Sequence, residues 1–379
     1  MMMLADYAAT LEGLNRKTRL RCLAPQRGID FTSNDFLALA DAPRLKAALI
    51  SAMERGVPVG AGGSRLLRGN HPEHEALELE AAAFFGAERA LYFGSGYMAN
   101  VALFSTLPRR EDLILHDALI HTSVHEGIAM SKAASVSVHH NDAAGFDEAI
   151  RNWRNNGGKG RPWIAVESLY SMDGDRAPLA DLIEITHRHE GFLVIDEAHA
   201  TGIFGADGRG LAAGLEGHDN VLVLHTCGKA LGVSGALIAM SKVLAEYLIN
   251  RARPFIYSTA PSPLMAAGTR EALRIVSDEP ERREALKDLI SFAGKEMTQQ
   301  FGMTPSGSQI QPIIIGSNAR AVQIAQTLQE QGFDIRAIRP PTVAEGTARL
   351  RLSITLNVDQ QQIARMLDCL AATMKEFEK

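Results

Sequence analysis

The chain has 379 residues, of which 46% are hydrophobic and 22% charged. That is enough apolar content to offset chain entropy and too much length for one core, so disordered, collagen-like and small disulfide-stapled classes are excluded and two or three packed units are expected. Lys and Arg number 39 against 44 Asp and Glu, a net charge of −5 with no basic stripe, which disfavours phosphate-backbone binding to nucleic acid.

Taken in chain order, Leu4, Ala8, Leu11 and Leu14 recur near a 3.6-residue period and predict an amphipathic N-terminal helix over 4–20 that packs as an arm. Acidic Asp6 and Glu12 come before its cluster of basic residues, the reverse of a signal peptide. Further on, short apolar runs alternate with helical periodicity. Strand-like runs are Ala90 to Phe93, Leu113 to Leu115, Ser135 to Val138, Trp163 to Val166, Phe192 to Ile195 and Val221 to Leu224; helix-like stretches include Pro72 to Phe85, Phe146 to Trp153 and Leu179 to His189. This alternation predicts an α/β fold with a mostly parallel sheet covered by helices. The longest weakly apolar stretch, Ala230 to Met240, is too short to span a bilayer, so no membrane element is expected. After a helix-like stretch from Val243 to Arg253 the pattern changes near residue 270. Strand candidates Gln311 to Ile315, Asp334 to Ile338 and Arg349 to Ile354, with helices Arg270 to Phe301, Ala319 to Gln331 and Asp359 to Glu376, predict a smaller α+β domain. The expected division is an arm over 1–45, a large domain over 46–270 and a small domain over 271–379.

Cys22, Cys227 and Cys369 contain no CxxC spacing, which excludes a disulfide framework and a zinc ribbon and fits a reducing cytoplasm. No histidine pair carries the spacing and co-ligands of a metal centre, so none is expected. Three segments carry chemistry instead. In FLVIDEAHATGIFG, residues 192–205, an apolar strand runs into Asp196, Glu197 and His199, and strand carboxyl ends face the ligand crevice of a parallel sheet. Taken alone, this could equally be a strand end capped by polar residues. In LHTCGKALGVSGA, residues 224–236, Lys229 follows the next strand among Gly228, Gly232 and Gly235, small neighbours that let a planar group approach. An isolated lysine is usually a surface charge; an acid and a lysine at adjacent strand ends are what a pyridoxal phosphate site requires. The turn Gly94-Ser95-Gly96-Tyr97 precedes a helix-like run, Met98 to Thr106, whose first amides suit a phosphate. No GxxxxGK[ST] loop, GxSxG elbow or GxGxxG spacing occurs to support a nucleotide or hydrolase reading.

The segments SNDFLAL (33–39), GAGGSRLLRGNHPEHEALE (60–78), FGSGYMAN (93–100), SMDGDRAPL (171–179), DEAHATGIFG (196–205), TCGKALGVSGA (226–236) and PPTVAEGTARLRLS (340–353) together resemble the α-oxoamine synthases, fold type I pyridoxal phosphate-dependent transferases. The resemblance implies that Lys229 carries pyridoxal 5′-phosphate as a Schiff base and later moves the α-proton. Asp196 would pair with the ring nitrogen, His199 with the ring hydroxyl, and His121 would stack on the ring. Ser171 would line the cofactor site. Gly96, Tyr97, Thr226 and, from the second subunit of a homodimer, Thr259 would hold the phosphate. Arg351 and Asn34 would hold the amino-acid carboxylate, and Arg21 and Thr342 would touch the acyl substrate or the amino-acid intermediate. The SMDGD-APL, GVSGA and PPTV forms resemble most the branch that condenses L-alanine with a pimeloyl thioester; the other branches condense an amino acid such as glycine with another acyl-CoA. Either coenzyme A or acyl carrier protein would fit as the thioester carrier. NDFLAL in place of the commoner NDYLGL, and Cys227 beside the Gly-Lys pair, are departures that bear on pocket shape.

Overall fold

A computed structural model describes residues 2–376. The chain divides into two compact units. One comprises 37–171 and 176–283; the other comprises, of the described residues, 2–36, 172–175 and 284–376. These bounds differ from the expected 45 and 270, because the opening residues and the short 172–175 segment pack with the C-terminal part of the chain.

Among the described residues twelve strands are formed: β1 Ile29–Asp30, β2 Arg89–Phe93, β3 Leu113–Asp117, β4 Ala134–Val138, β5 Pro162–Glu167, β6 Phe192–Asp196, β7 Val221–Thr226, β8 Ala236–Met240, β9 Ile310–Gly316, β10 Phe333–Asp334, β11 Ala337–Ile338 and β12 Ala348–Ser353. In the larger unit, seven of them form one sheet in the order β2-β8-β7-β6-β5-β3-β4. From β7 to β4 all neighbours are parallel, and β8 alone runs antiparallel to both its neighbours. The sheet's central strands are buried along almost their whole length, as expected where helices cover both faces. The expected strands and crossover helices are present. β8 lies inside the stretch Ala230–Met240, which the sequence patterning does not mark as a strand.

The return from β7 to β8 explains that strand. At Gly235 the backbone has φ +101°, and an added Cβ would stand 2.4 Å from the Tyr92 ring. Tyr92 is fully buried, and its hydroxyl donates to the Ser234 carbonyl at 2.6 Å. Gly235→Ala is therefore expected to cost about 2–4 kcal/mol, from left-handed strain plus overpacking. A urea-denaturation midpoint equal to wild type would refute this.

In the smaller unit, β11-β12-β9 form an antiparallel sheet, and β1 and β10 form a parallel pair. The single strand expected over 334–338 is thus two, each joined to a different sheet. The helix expected from Arg270 to Phe301 is likewise two, Pro263–Asp278 and Pro280–Phe301. Pro280 supplies no backbone N–H and disfavours helical geometry at Glu279, so the first helix stops there. The N-terminal helix spans Ala5–Arg16, and none of its residues is buried within the chain.

Candidate active site

The carboxyl ends of β2, β3, β5, β6 and β7 converge on a cavity of about 360 Å³ in the larger unit. Gly96, Tyr97, His121, Asp196, His199, Thr226 and Lys229 all line it. Lys229 is placed by the loop between β7 and β8. Cys227 N–H donates to Gly235 O at 2.9 Å, Val233 N–H to Cys227 O at 2.9 Å and Gly232 N–H to Lys229 O at 2.8 Å. Backbone bonds thus close the loop, and Lys229 Nζ lies 2.7 Å from His199 Nε2.

Asp196 ends β6 and is buried. Its Oδ2 accepts from Asn100 Nδ2 at 2.8 Å and its Oδ1 from Ala198 N–H at 2.9 Å. Glu197, although adjacent in the acidic pair, turns away to accept from the Leu211 and Ala212 amides at 3.0 and 2.6 Å. Burial pushes its pKa up to about 8. Glu197 therefore anchors a loop, while its neighbour serves the cavity.

His121 caps the helix Thr122–Ala129, its Nδ1 accepting from Ser123 N–H at 3.3 Å with Ser123 Oγ 2.7 Å away. Burial above all, and then the charge of Lys229, lowers its pKa against the opposing pull of Asp196. At neutral pH the ring is neutral, and because Nδ1 accepts, its proton sits on Nε2.

The helix Gly96–Thr106 points its N-terminus at the same cavity. Ser95 satisfies Met98 N–H through its Oγ (3.1 Å) and Ala99 N–H through its carbonyl (3.0 Å). The amides of Gly96 and Tyr97 remain at the positive end of the helix, beside Thr226, where an anion is favoured. A Cβ on Gly96 would stand 2.7 Å from Thr226 Cγ2, so glycine is what permits this close approach. A lysine, a carboxylate and an amide cradle around one cavity suit a phosphorylated pyridine. Two buried oxygens of the lining, Asn100 Oδ1 and Glu167 Oε1, have no partner among the described residues, which fits a polar occupant.

Ser171 is not part of this lining, but its N–H donates to Glu167 Oε2 at 3.0 Å behind it. Thr259 lies outside the lining and is exposed. In the smaller unit, Arg351 is buried; its Nη2 donates to Asn34 Oδ1 and its Nη1 to Ser353 Oγ, both at 3.0 Å. Arg21 Nη2 donates to Thr342 Oγ1 at 3.0 Å, and both line a second cavity of about 230 Å³ with Arg19 and Arg339. Asn100, Ser123 and Glu167 were missed as site residues. Asn100 stands one helical turn after Gly96, a spacing that offered a signal; Glu167 sits one residue past the apolar run of its strand. Among the described residues no group of three or more His, Cys, Asp or Glu could hold a metal ion, and no helix is long and apolar enough to cross a membrane.

A family model described as aminotransferase class I and II matches residues 26–370. An 8-amino-7-oxononanoate synthase of Chromobacterium violaceum is 39% identical across 97% of this chain and 98% of its own length. One from Methylococcus capsulatus is 40% identical across 90% of this chain and 88% of its own. Among solved structures, an 8-amino-7-oxononanoate synthase of Francisella tularensis superposes with a TM-score of 0.78 at 28% identity, covering 93% of this chain and 99% of that one. A serine palmitoyltransferase of Sphingomonas wittichii reaches 0.89 at 26% identity, covering 99% and 98%.

Proposed function

Because the chain belongs to the aminotransferase class I and II family, and within it to the 8-amino-7-oxononanoate synthases, we propose that it condenses L-alanine with a pimeloyl thioester. The products are 8-amino-7-oxononanoate, carbon dioxide and the free thiol carrier, a step of biotin synthesis. Its cofactor is pyridoxal 5′-phosphate. The observation that carries this reading is the convergence of Lys229, His199, Asp196 and His121 on one cavity with a helix N-terminus at its edge.

When bound, pyridoxal phosphate supplies an electron sink for charge that develops at the α-carbon of the amino acid. The chain's residues do the rest. Lys229 would hold the cofactor through Nζ and would be the group that removes and returns the α-proton. Asp196, fixed by Asn100 and the Ala198 amide, keeps a positive ring nitrogen protonated. Neutral His121 would pack on the ring face, and His199 would meet the ring hydroxyl. Gly96, Tyr97 and Thr226 hold the phosphate, with Thr259 of a second copy completing the set in a homodimer. Ser171 would act on the site through Glu167, whose Oε2 accepts from its N–H. Arg351, oriented by Asn34, receives the carboxylate of alanine as a planar fork. Arg21 and Thr342 contact the acyl chain or the bound amino-acid intermediate. A cytoplasmic setting and an acyl carrier protein or coenzyme A as thiol carrier belong to the same proposal.

The test is a product assay with L-alanine or glycine against pimeloyl-coenzyme A, pimeloyl-acyl carrier protein and acetyl-coenzyme A. The expected result is 8-amino-7-oxononanoate from L-alanine and at least one pimeloyl thioester. Turnover with glycine and acetyl-coenzyme A alone would move the chain to another branch of the family.

A further inference from the structure

Glu167 ends β5 and pairs in register with Asp196, which ends β6. Register neighbours on parallel strands share a face, and both carboxyl side chains line the cavity. Glu167 is 3% exposed; its Oε2 accepts from Ser171 N–H, while its Oε1 is buried with no partner among the described residues. Asp196 has two donors, and Glu167 has one. Two buried carboxylates side by side repel, and the one with fewer donors takes up a proton. The charged groups around Glu167 agree. Asp196 on β6 and Asp117 on β3 push its pKa up and Lys229 of the β7–β8 loop pulls it down, while burial, the largest effect, takes it to about 8. His121 and His199 complete the titratable lining.

We propose that Glu167 is a further binding residue of this cavity, a neutral carboxylic acid whose Oε1–H donates to bound pyridoxal phosphate while Oε2 holds the Ser171 amide. The proposal rests on the functional reading above, which makes pyridoxal phosphate the occupant. It leaves Asp196 as the anion facing the ring nitrogen and gives the buried Oε1 its partner.

The experiment is calorimetric titration of the cofactor-free protein with pyridoxine 5′-phosphate, which Lys229 cannot join covalently, between about pH 6 and pH 10. The protonated acid is the binding form, so wild-type affinity should fall as pH rises through 8. Glu167→Gln keeps a neutral donor and an acceptor; it should match wild type near neutrality and lack that part of the alkaline fall. Glu167→Leu keeps the volume without the donor and should bind about tenfold more weakly at neutral pH. Thermal melts of the cofactor-free variants check folding. Wild-type affinity in Glu167→Leu, or a Glu167→Gln as weak as Glu167→Leu, would overturn the proposal. Failure of wild type to bind the probe would instead overturn the reading of the cavity, and the proposal with it.

Discussion

Replacing Lys229 with alanine is expected to lower turnover of L-alanine with a pimeloyl thioester by on the order of 10²–10⁴-fold, the range for losing a positioned proton-transfer group. It should also remove the visible absorbance that pyridoxal phosphate would have when bound to this lysine. Lys229 is the lysine of the cavity lining, and its Nζ is 2.7 Å from His199 Nε2. The loop carrying it is closed by backbone bonds between Cys227 and Gly235, Cys227 and Val233, and Lys229 and Gly232. None of these uses the lysine side chain, so the variant keeps its fold and its melting temperature stays close to wild type. The loss is therefore chemical, and a small primary amine added to the variant should restore part of the rate by entering the space the side chain vacates. A variant that keeps both absorbance and turnover would remove Lys229 from the centre of the site.

Much of this arrangement is legible in the sequence because buried parallel strands write themselves as apolar runs. β5, β6 and β7 are such runs, and the polar residue that ends each one marks a carboxyl edge. Asp196 stands out for that reason, and Lys229 follows three residues past the end of β7. Other features escape because their meaning lies in pairing across long separations. β8 is as apolar as its neighbours, and nothing local tells that it runs back antiparallel from a glycine turn. Glu167 becomes a partner of Asp196 only through the register of β5 on β6, and Asn100 meets Asp196 across 96 residues. In the same way Arg21 finds Thr342 across 321 residues, a contact that the packing of the smaller unit creates and no periodicity encodes. Local breakers were readable in principle: Pro280 splits the long helix where it stands.

The Asn100 contact sharpens what Asp196→Asn should do. On the proposed reading, removing the charge takes away the group that would keep the ring nitrogen protonated, and loss of one preorganised electrostatic partner costs on the order of 10²–10³-fold. The amide also meets its neighbours badly. Asn100 Nδ2 donates at once to Asp196 Oδ2 at 2.8 Å and to Ser123 Oγ at 2.9 Å, so both of its hydrogens are in use. An asparagine at 196 that keeps its oxygen on the Ala198 amide turns its own NH₂ toward Asn100, donor against donor. Relieving this by turning the Asn100 amide takes its donor away from Ser123, whose hydroxyl stands against His121 Nδ1. Asp196→Asn thus disturbs the ring face as well as the ring nitrogen, and its effect should exceed that of Asn100→Ala, which leaves the carboxylate charged and should slow the same step roughly tenfold. Exchange of the alanine α-proton with deuterated solvent, followed by NMR without any thioester, reads this step alone. Both variants should still take up pyridoxal phosphate through Lys229. Exchange at the wild-type rate in Asp196→Asn would place the electron sink elsewhere, and equal losses in the two variants would mean that position rather than charge is what Asp196 supplies.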